Sequence, residues 1–394
     1  MAFLIAVCLT VSLLEGFDLQ AVSIVAPVLI AELGMAPSQT GWVFASGQVG
    51  LVVGAVIGGW IGDVYGRRGV LVAGVASFGA FCVLTVTATN FETLTLIRFA
   101  TGVGIGLAMP NLVSMALDHA PERHRAKIVS IILAGLPIGG LIVALLGSAY
   151  LEAWGWKSLF YIGGLLPIAV APFIFMLPNA KPAARPAERE DRPSWASVLF
   201  DQGRGLTTAL LWSALFLNAA VLYMLVNWLP SLMVALGFDL RTSQLSSAMF
   251  SLGGCIGSFL MGFFVDRFGH QRVLPGLYVG AIAGILGIAF AGTTVVLLAS
   301  AAVIGIFVVG AFYALTGVSP LYYPAAMRGL GAGASVGIGR VGSIVGPLIA
   351  GYVLQQGLGP LEPGPINIPL VAIPFAVLAC LAVALVSRRP VATA

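Results

Sequence analysis

Long apolar runs separated by short polar clusters dominate this chain. Twelve runs stand out, over approximately 3–31, 40–62, 69–89, 93–117, 127–150, 158–178, 206–236, 244–265, 273–292, 294–319, 326–355 and 367–387. A helix crosses the hydrocarbon core of a bilayer with about 20 residues, and each run is long enough. Most polar breaks are only a few residues. The exception, Asn179 to Gly205, is charged and proline-rich and reads as a linker. The pattern predicts an all-α membrane protein with twelve transmembrane helices in two six-helix pseudo-symmetric bundles. Residues 1–178 form the N-terminal bundle, 179–205 a cytoplasmic linker and 206–394 the C-terminal bundle.

Composition narrows the reading. The 394 residues are 59% hydrophobic and 9% charged, whereas a soluble domain is roughly 25% charged. The 50 glycines suit helices that pack closely in lipid, where small residues let backbones approach. With the N-terminus in the cytoplasm, fifteen of the 19 Lys and Arg fall on inner loops, and only Lys157 and Arg241 fall on outer ones. This bias follows the positive-inside rule and places both termini in the cytoplasm. The formal charge of +4 therefore reflects topology, and no nucleic-acid partner is expected. No cleavable signal peptide is expected either, because the first run is long, lacks a basic leading segment and holds internal acids. The chain begins almost inside its first helix, which leaves room for a few preceding residues.

Enzymatic chemistry finds no support. Cys8, Cys82, Cys255 and Cys380 lie inside apolar runs without metal-ligand spacing and read as small core residues. His119, His124 and His270 sit at cytoplasmic loops, apart from any nucleophile arrangement. A phosphate loop of the G-x-x-x-x-G-K-[ST] type is missing, which argues against ATP-driven transport. No metal and no cofactor are expected.

The two halves read as repeats. Gly59, Asp63 and Gly66 follow the second run, and Gly262, Asp266 and Gly269 follow the eighth, each pair 203 apart. The same offset joins Gly50 to Gly253, Gly54 to Gly257, Pro121 to Pro324 and Arg125 to Arg328. Two such halves with a site between them is a known transporter plan.

Four charges fall well inside the spans, away from their cytoplasmic ends. A charge at bilayer depth is costly and is usually kept for a function. Glu15 and Asp18 lie near the middle of the first span, three residues apart and so on one helix face. Like charges so close disfavour double ionisation, which suits a proton carrier. A buried structural charge pair is the plainer alternative. Arg98 is about six residues into the fourth span and could pair with Asp18 or Glu15, although helical rise leaves Asp18 deeper by about 10 Å. Arg340 lies about 14 residues into the eleventh span, near the midplane. Its guanidinium keeps its charge and calls for an anion, a water-filled cavity or a structural acid. Gly337, Gly339 and Gly342 around it leave room for a ligand or a neighbouring helix.

The loop sequences Gly59-Trp60-Ile61-Gly62-Asp63-Val64-Tyr65-Gly66-Arg67-Arg68 and Gly262 through Arg272 resemble the repeated motif of the major facilitator superfamily, and the resemblance covers the whole chain. The first copy departs at Val64 and the second at His270-Gln271. A narrower resemblance is to the aromatic acid:proton symporter family. It rests on Glu15-Gly16-Phe17-Asp18, Arg98 through Asn111, Trp228-Leu229-Pro230, and Gly339-Arg340-Val341-Gly342 with Gly346-Pro347. Glu15 stands where most members have Asp, and the hydroxyphenylpropionate-type branch looks closest.

The resemblance implies proton-coupled uptake of a small aromatic carboxylate by alternating access, in a bacterial inner membrane, by a monomer. It implies a cytoplasmic gate of Asp63, Arg67, Arg68, Asp266 and Arg267. Asp18, Glu15 and Arg98 would couple protons, and Arg340 would take the substrate carboxylate. Gln20, Asn111, Asn218, Tyr223, Asn227, Trp228 and Tyr313 would line the cavity, their rings stacking on an aromatic substrate. Each of these also has a plainer reading, as an interfacial anchor or an interhelical link. Rival functions are a drug exporter or sugar carrier of the same superfamily, and a membrane sensor of aromatic acids.

Overall fold

A computed structural model of the chain describes residues 2–177, 199–201, 203–324, 327–356 and 367–389. Most of the expected linker, 179–205, lies outside them. The described residues form helices α1 (Ala2–Leu33), α2 (Pro37–Tyr65), α3 (Arg67–Leu84), α4 (Phe91–His119), α5 (Arg125–Leu133), α6 (Gly135–Trp154) and α7 (Lys157–Ile174). After the linker come α8 (Gly205–Ala235), α9 (Leu240–Phe268), α10 (His270–Ala289), α11 (Thr294–Ile304), α12 (Gly310–Val318), α13 (Arg328–Gln356) and α14 (Asn367–Val386). No strand occurs among the described residues.

These helices make twelve spans. The fifth is broken at Ala134, between α5 and α6. In the tenth, α11 passes through a π-helical turn, Gly305–Val309, into α12. Neither irregularity interrupts the apolar pattern, so composition does not report them.

Local chemistry sets several helix starts. The Asn90 side chain accepts from the Thr93 amide at 2.9 Å and caps α4, and Thr293 caps α11 in the same way. Pro37 opens α2, and the Gln39 side chain returns to the Ala36 amide at 2.9 Å. Between α2 and α3 the chain turns at Gly66 (φ 102°), and between α9 and α10 at Gly269 (φ 79°). Only glycine adopts such angles without strain, which explains the matching loop glycine in both repeats.

Two compact units emerge, Met1–Pro186 with Gly237–Ala248, and Ala187–Leu236 with Met249–Ala394. Each is sewn together by glycine. A Cβ at Gly50, Gly54 or Gly102 would overlap the carbonyl oxygen of Phe99, Val103 or Gly47. One at Gly253, Gly257 or Gly305 would overlap that of Ala302, Ile306 or Phe250. Every residue in the second set is its counterpart in the first moved by 203. Gly139 against Leu13 and Gly342 against Phe216 repeat in the same way. The internal duplication therefore extends from identities to interhelical contacts. Lipid tails give no hydrophobic drive for helices to associate, so close packing and hydrogen bonds carry it.

Candidate functional site

The first span brings its acids to a crowded place. Gly16 presses on the Leu136 carbonyl of α6, and Phe17 is buried, so the Glu15–Asp18 segment is held from behind by a glycine seat. Gln20 fills the space over Gly140, again on α6. Glu15 and Asp18 are both at 0% exposure.

Asp18 is met by Arg98 of α4. The two guanidinium nitrogens donate separately, Nη1 to Oδ1 at 3.0 Å and Nη2 to Oδ2 at 2.8 Å. Arg98 is itself only 4% exposed. This is a two-pronged, charge-assisted pair, the strongest geometry open to these groups. The helical-rise estimate had separated them by about 10 Å. It fails because rise along one axis does not say where neighbouring helices are level.

Arg340 has a different setting. It is half-buried on α13, and its Nη1 donates to the Tyr223 hydroxyl of α8 at 3.4 Å. Among the described residues of its unit, no carboxylate pairs with it. Asn227 donates to the Tyr223 carbonyl at 2.8 Å, inside α8. The glycines around Arg340 divide between the two expected uses. Gly342 seats the Phe216 backbone of α8, Gly339 makes ordinary contact with Leu215, and Gly337 faces open space.

Two residues expected at the cavity also tie helices together within their units. Asn111 is 2% exposed, and its amide donates to the Gly58 carbonyl of α2 and the Leu107 carbonyl, both at 2.9 Å. Its oxygen lies against Gly62. Trp228 is 1% exposed, and its indole donates to the Pro347 carbonyl of α13 at 3.1 Å. Pro347 has no amide hydrogen, and its ring denies the Ser343 carbonyl its usual helical partner. Both side chains are interhelical staples inside one unit. Asn218 is likewise buried, at 1%.

The cytoplasmic loop residues also differ between the copies. Arg67 donates to Asp118, at the end of α4, and to Asp63 at 3.4 Å. Arg68 donates to the carbonyls of Phe175 and Leu177, each at 3.1 Å, beyond the last turn of α7. In the second copy, Asp266 and Arg267 are exposed and form no ion pair among the described residues. Arg267 instead lies over the Phe268 ring at 5.7 Å. The reason is in the sequence. At the 203 offset, His270 replaces Arg67, Leu321 replaces Asp118 and Tyr322 replaces His119. His270 Nε2 and the Tyr322 hydroxyl share a hydrogen bond of 3.1 Å, with the rings edge to face. Asp118 was not singled out from the sequence. The available signal was an acid at the inner end of a span, beside a basic loop.

A duplicated set of twelve spanning helices, with charged side chains inside each unit, has the plan of a multi-pass membrane transporter. The chain belongs to the Major Facilitator Superfamily, whose profile matches residues 8–249 and again 211–394. It is 36% identical to the 3-(3-hydroxy-phenyl)propionate transporter of Escherichia coli (strain K12), over 90% of this chain and 87% of that one. It is 29% identical to the gallate transporter of Pseudomonas putida, over 95% and 91%. Among solved structures it resembles a bacterial homolog of the human lysosomal transporter Spinster, in an inward-facing and occupied conformation. The TM-score is 0.82 at 18% identity, covering 98% of this chain and 97% of that one, a likeness of fold alone.

Proposed function

We propose that this protein takes up a small aromatic carboxylic acid together with protons, by alternating access of two bundles, 1–178 and 206–394. It works as a monomer in a bacterial inner membrane, with both termini and the 179–205 linker in the cytoplasm. The observation that carries the reading is Arg340, a half-buried intramembrane cation with no acid partner among the described residues of its unit and the Tyr223 phenol on its guanidinium. A planar carboxylate matches a guanidinium fork, and rings suit an aromatic body. Relatives named for hydroxyphenylpropionate and gallate support the same cargo.

Proton coupling belongs to Asp18, Glu15 and Arg98. Asp18 and Arg98 form a two-pronged pair, with Glu15 one turn before Asp18 on the same helix. A proton arriving on Asp18 would free the Arg98 fork. That event changes the electrostatic balance of a buried site, and the balance between two conformations can shift with it. Within the second unit, Tyr223, Asn227 and Tyr313 would serve the substrate beside Arg340, and within the first Gln20 would serve it beside Asp18. The Arg67–Asp118–Asp63 cluster and Arg68 would hold the cytoplasmic side of the first unit.

Uptake into proteoliposomes with an imposed pH gradient tests this. Benzoates and phenylpropionates should accumulate when the outside is acidic, and aliphatic acids of equal charge should not. Accumulation indifferent to the gradient would remove the proton from the mechanism. Equal uptake of aliphatic acids would remove the ring.

A further inference from the structure

We propose that Tyr223 is the second donor to the substrate carboxylate, acting directly on the oxygen that Arg340 does not hold. The inference rests on the reading of Arg340 as the anion site and names the group that completes it.

A phenol offers one O–H donor and two acceptor positions. The Tyr223 oxygen already accepts from Arg340 Nη1, at 3.4 Å. No described residue accepts its hydrogen, although the ring is half-buried. Arg340 in turn has five N–H donors, and its one side-chain bond among the described residues is this long one. The pair is thus rich in donors and poor in acceptors. A carboxylate supplies the missing acceptors, with one oxygen on the guanidinium and the other on the phenol.

In the register of α8 and α13, with Gly342 on Phe216 and Gly346 on Ala220, Tyr223 lies toward the C-terminal end of α13 from Arg340, so the guanidinium and the phenol reach toward each other along the two helices to meet at 3.4 Å. On the Tyr223 side, the Asn227 amide ties to the Tyr223 carbonyl. A neutral second donor adds directional recognition to a charge that alone would attract any anion.

The test measures proteoliposome uptake and direct binding of two probes, 3-phenylpropionate and its primary amide. Tyr223→Phe removes only the hydroxyl. We expect KM for 3-phenylpropionate to rise tenfold or more, the size of a hydrogen bond to a charged group, with Vmax nearly unchanged. Weak competition by the amide should change little.

A tyrosine that merely positions Arg340 is distinguished by repeating the change in Arg340→Lys, which keeps the charge but lacks the fork. A direct donor still costs affinity there, and a positioning residue costs nothing further. An unchanged KM in Tyr223→Phe, alongside lost affinity in Arg340→Lys, overturns the inference and leaves the anion site standing. Unchanged affinity in Arg340→Lys and Arg340→Gln alike overturns the anion site itself. A Tyr223→Phe protein that does not fold also counts against the inference, because a hydroxyl kept for a ligand is not needed for folding.

Discussion

Arg67 bridges Asp118, on the fourth span, and Asp63, the acid of its own loop motif. The loop between α2 and α3 is thereby tied to the inner end of α4, a contact 51 residues long in sequence. Asp63 is largely exposed, with a side chain at 68%, against 36% for Asp118. Asp118 is therefore the better-placed anchor.

Asp118→Asn should slow transport more than Asp63→Asn. Neither should cost more than about 1 kcal/mol of stability, because partly exposed pairs contribute little. Initial uptake rates and thermal unfolding in detergent, measured side by side, check this. A larger effect from Asp63→Asn would return the anchor to the loop itself.

The Asp18–Arg98 pair should behave in the opposite way in stability. Truncating one partner of a buried pair leaves a charge stranded and costs about 3–5 kcal/mol. Asp18→Ala and Arg98→Ala should each lower the unfolding temperature sharply. Asp18→Leu combined with Arg98→Met should recover much of that stability without recovering proton-driven accumulation. A double variant that still concentrates substrate against its gradient would show the pair to be structural only.

The glycines divide into two groups with opposite tolerance. Gly54→Ala and Gly257→Ala each push a methyl into a facing backbone carbonyl, and overpacking of this kind costs about 1–3 kcal/mol. Gly59 and Gly262, also repeated at the same offset, face open space. Alanine there should be neutral or slightly stabilising, since it favours the helix. Unfolding temperatures of the four single variants give the comparison, and a similar loss at Gly59 would contradict the open-space assignment.

The spans were legible because apolar runs of bilayer length have few other readings. Their ends differ from the expected ones by a few residues, for instance 40–62 against Pro37–Tyr65. The break at Ala134 and the π-turn at Gly305–Val309 were not legible, because both lie within uninterrupted apolar sequence. Spacing offered Arg98 two acids, Asp18 and Glu15, and only packing shows the two-pronged bond to Asp18. Asn111 and Trp228 make bonds that spacing did not show, for a physical reason. In lipid a buried amide or indole must find a partner, and a neighbouring carbonyl serves as well as a ligand. Gly16 had been read only as part of a motif, whereas its missing side chain is what admits α6.

The glycine seats repeated at an interval of 203 also speak to history. A chain about half this length had already settled how its helices touch, and doubling preserved those contacts while side chains elsewhere diverged. One copy now holds the buried acids and a charged latch, and the other holds Arg340 with a neutral His270–Tyr322 link. Descent kept the scaffold common and let the chemistry specialise, so resemblance between the halves is a guide to architecture and difference between them a guide to task.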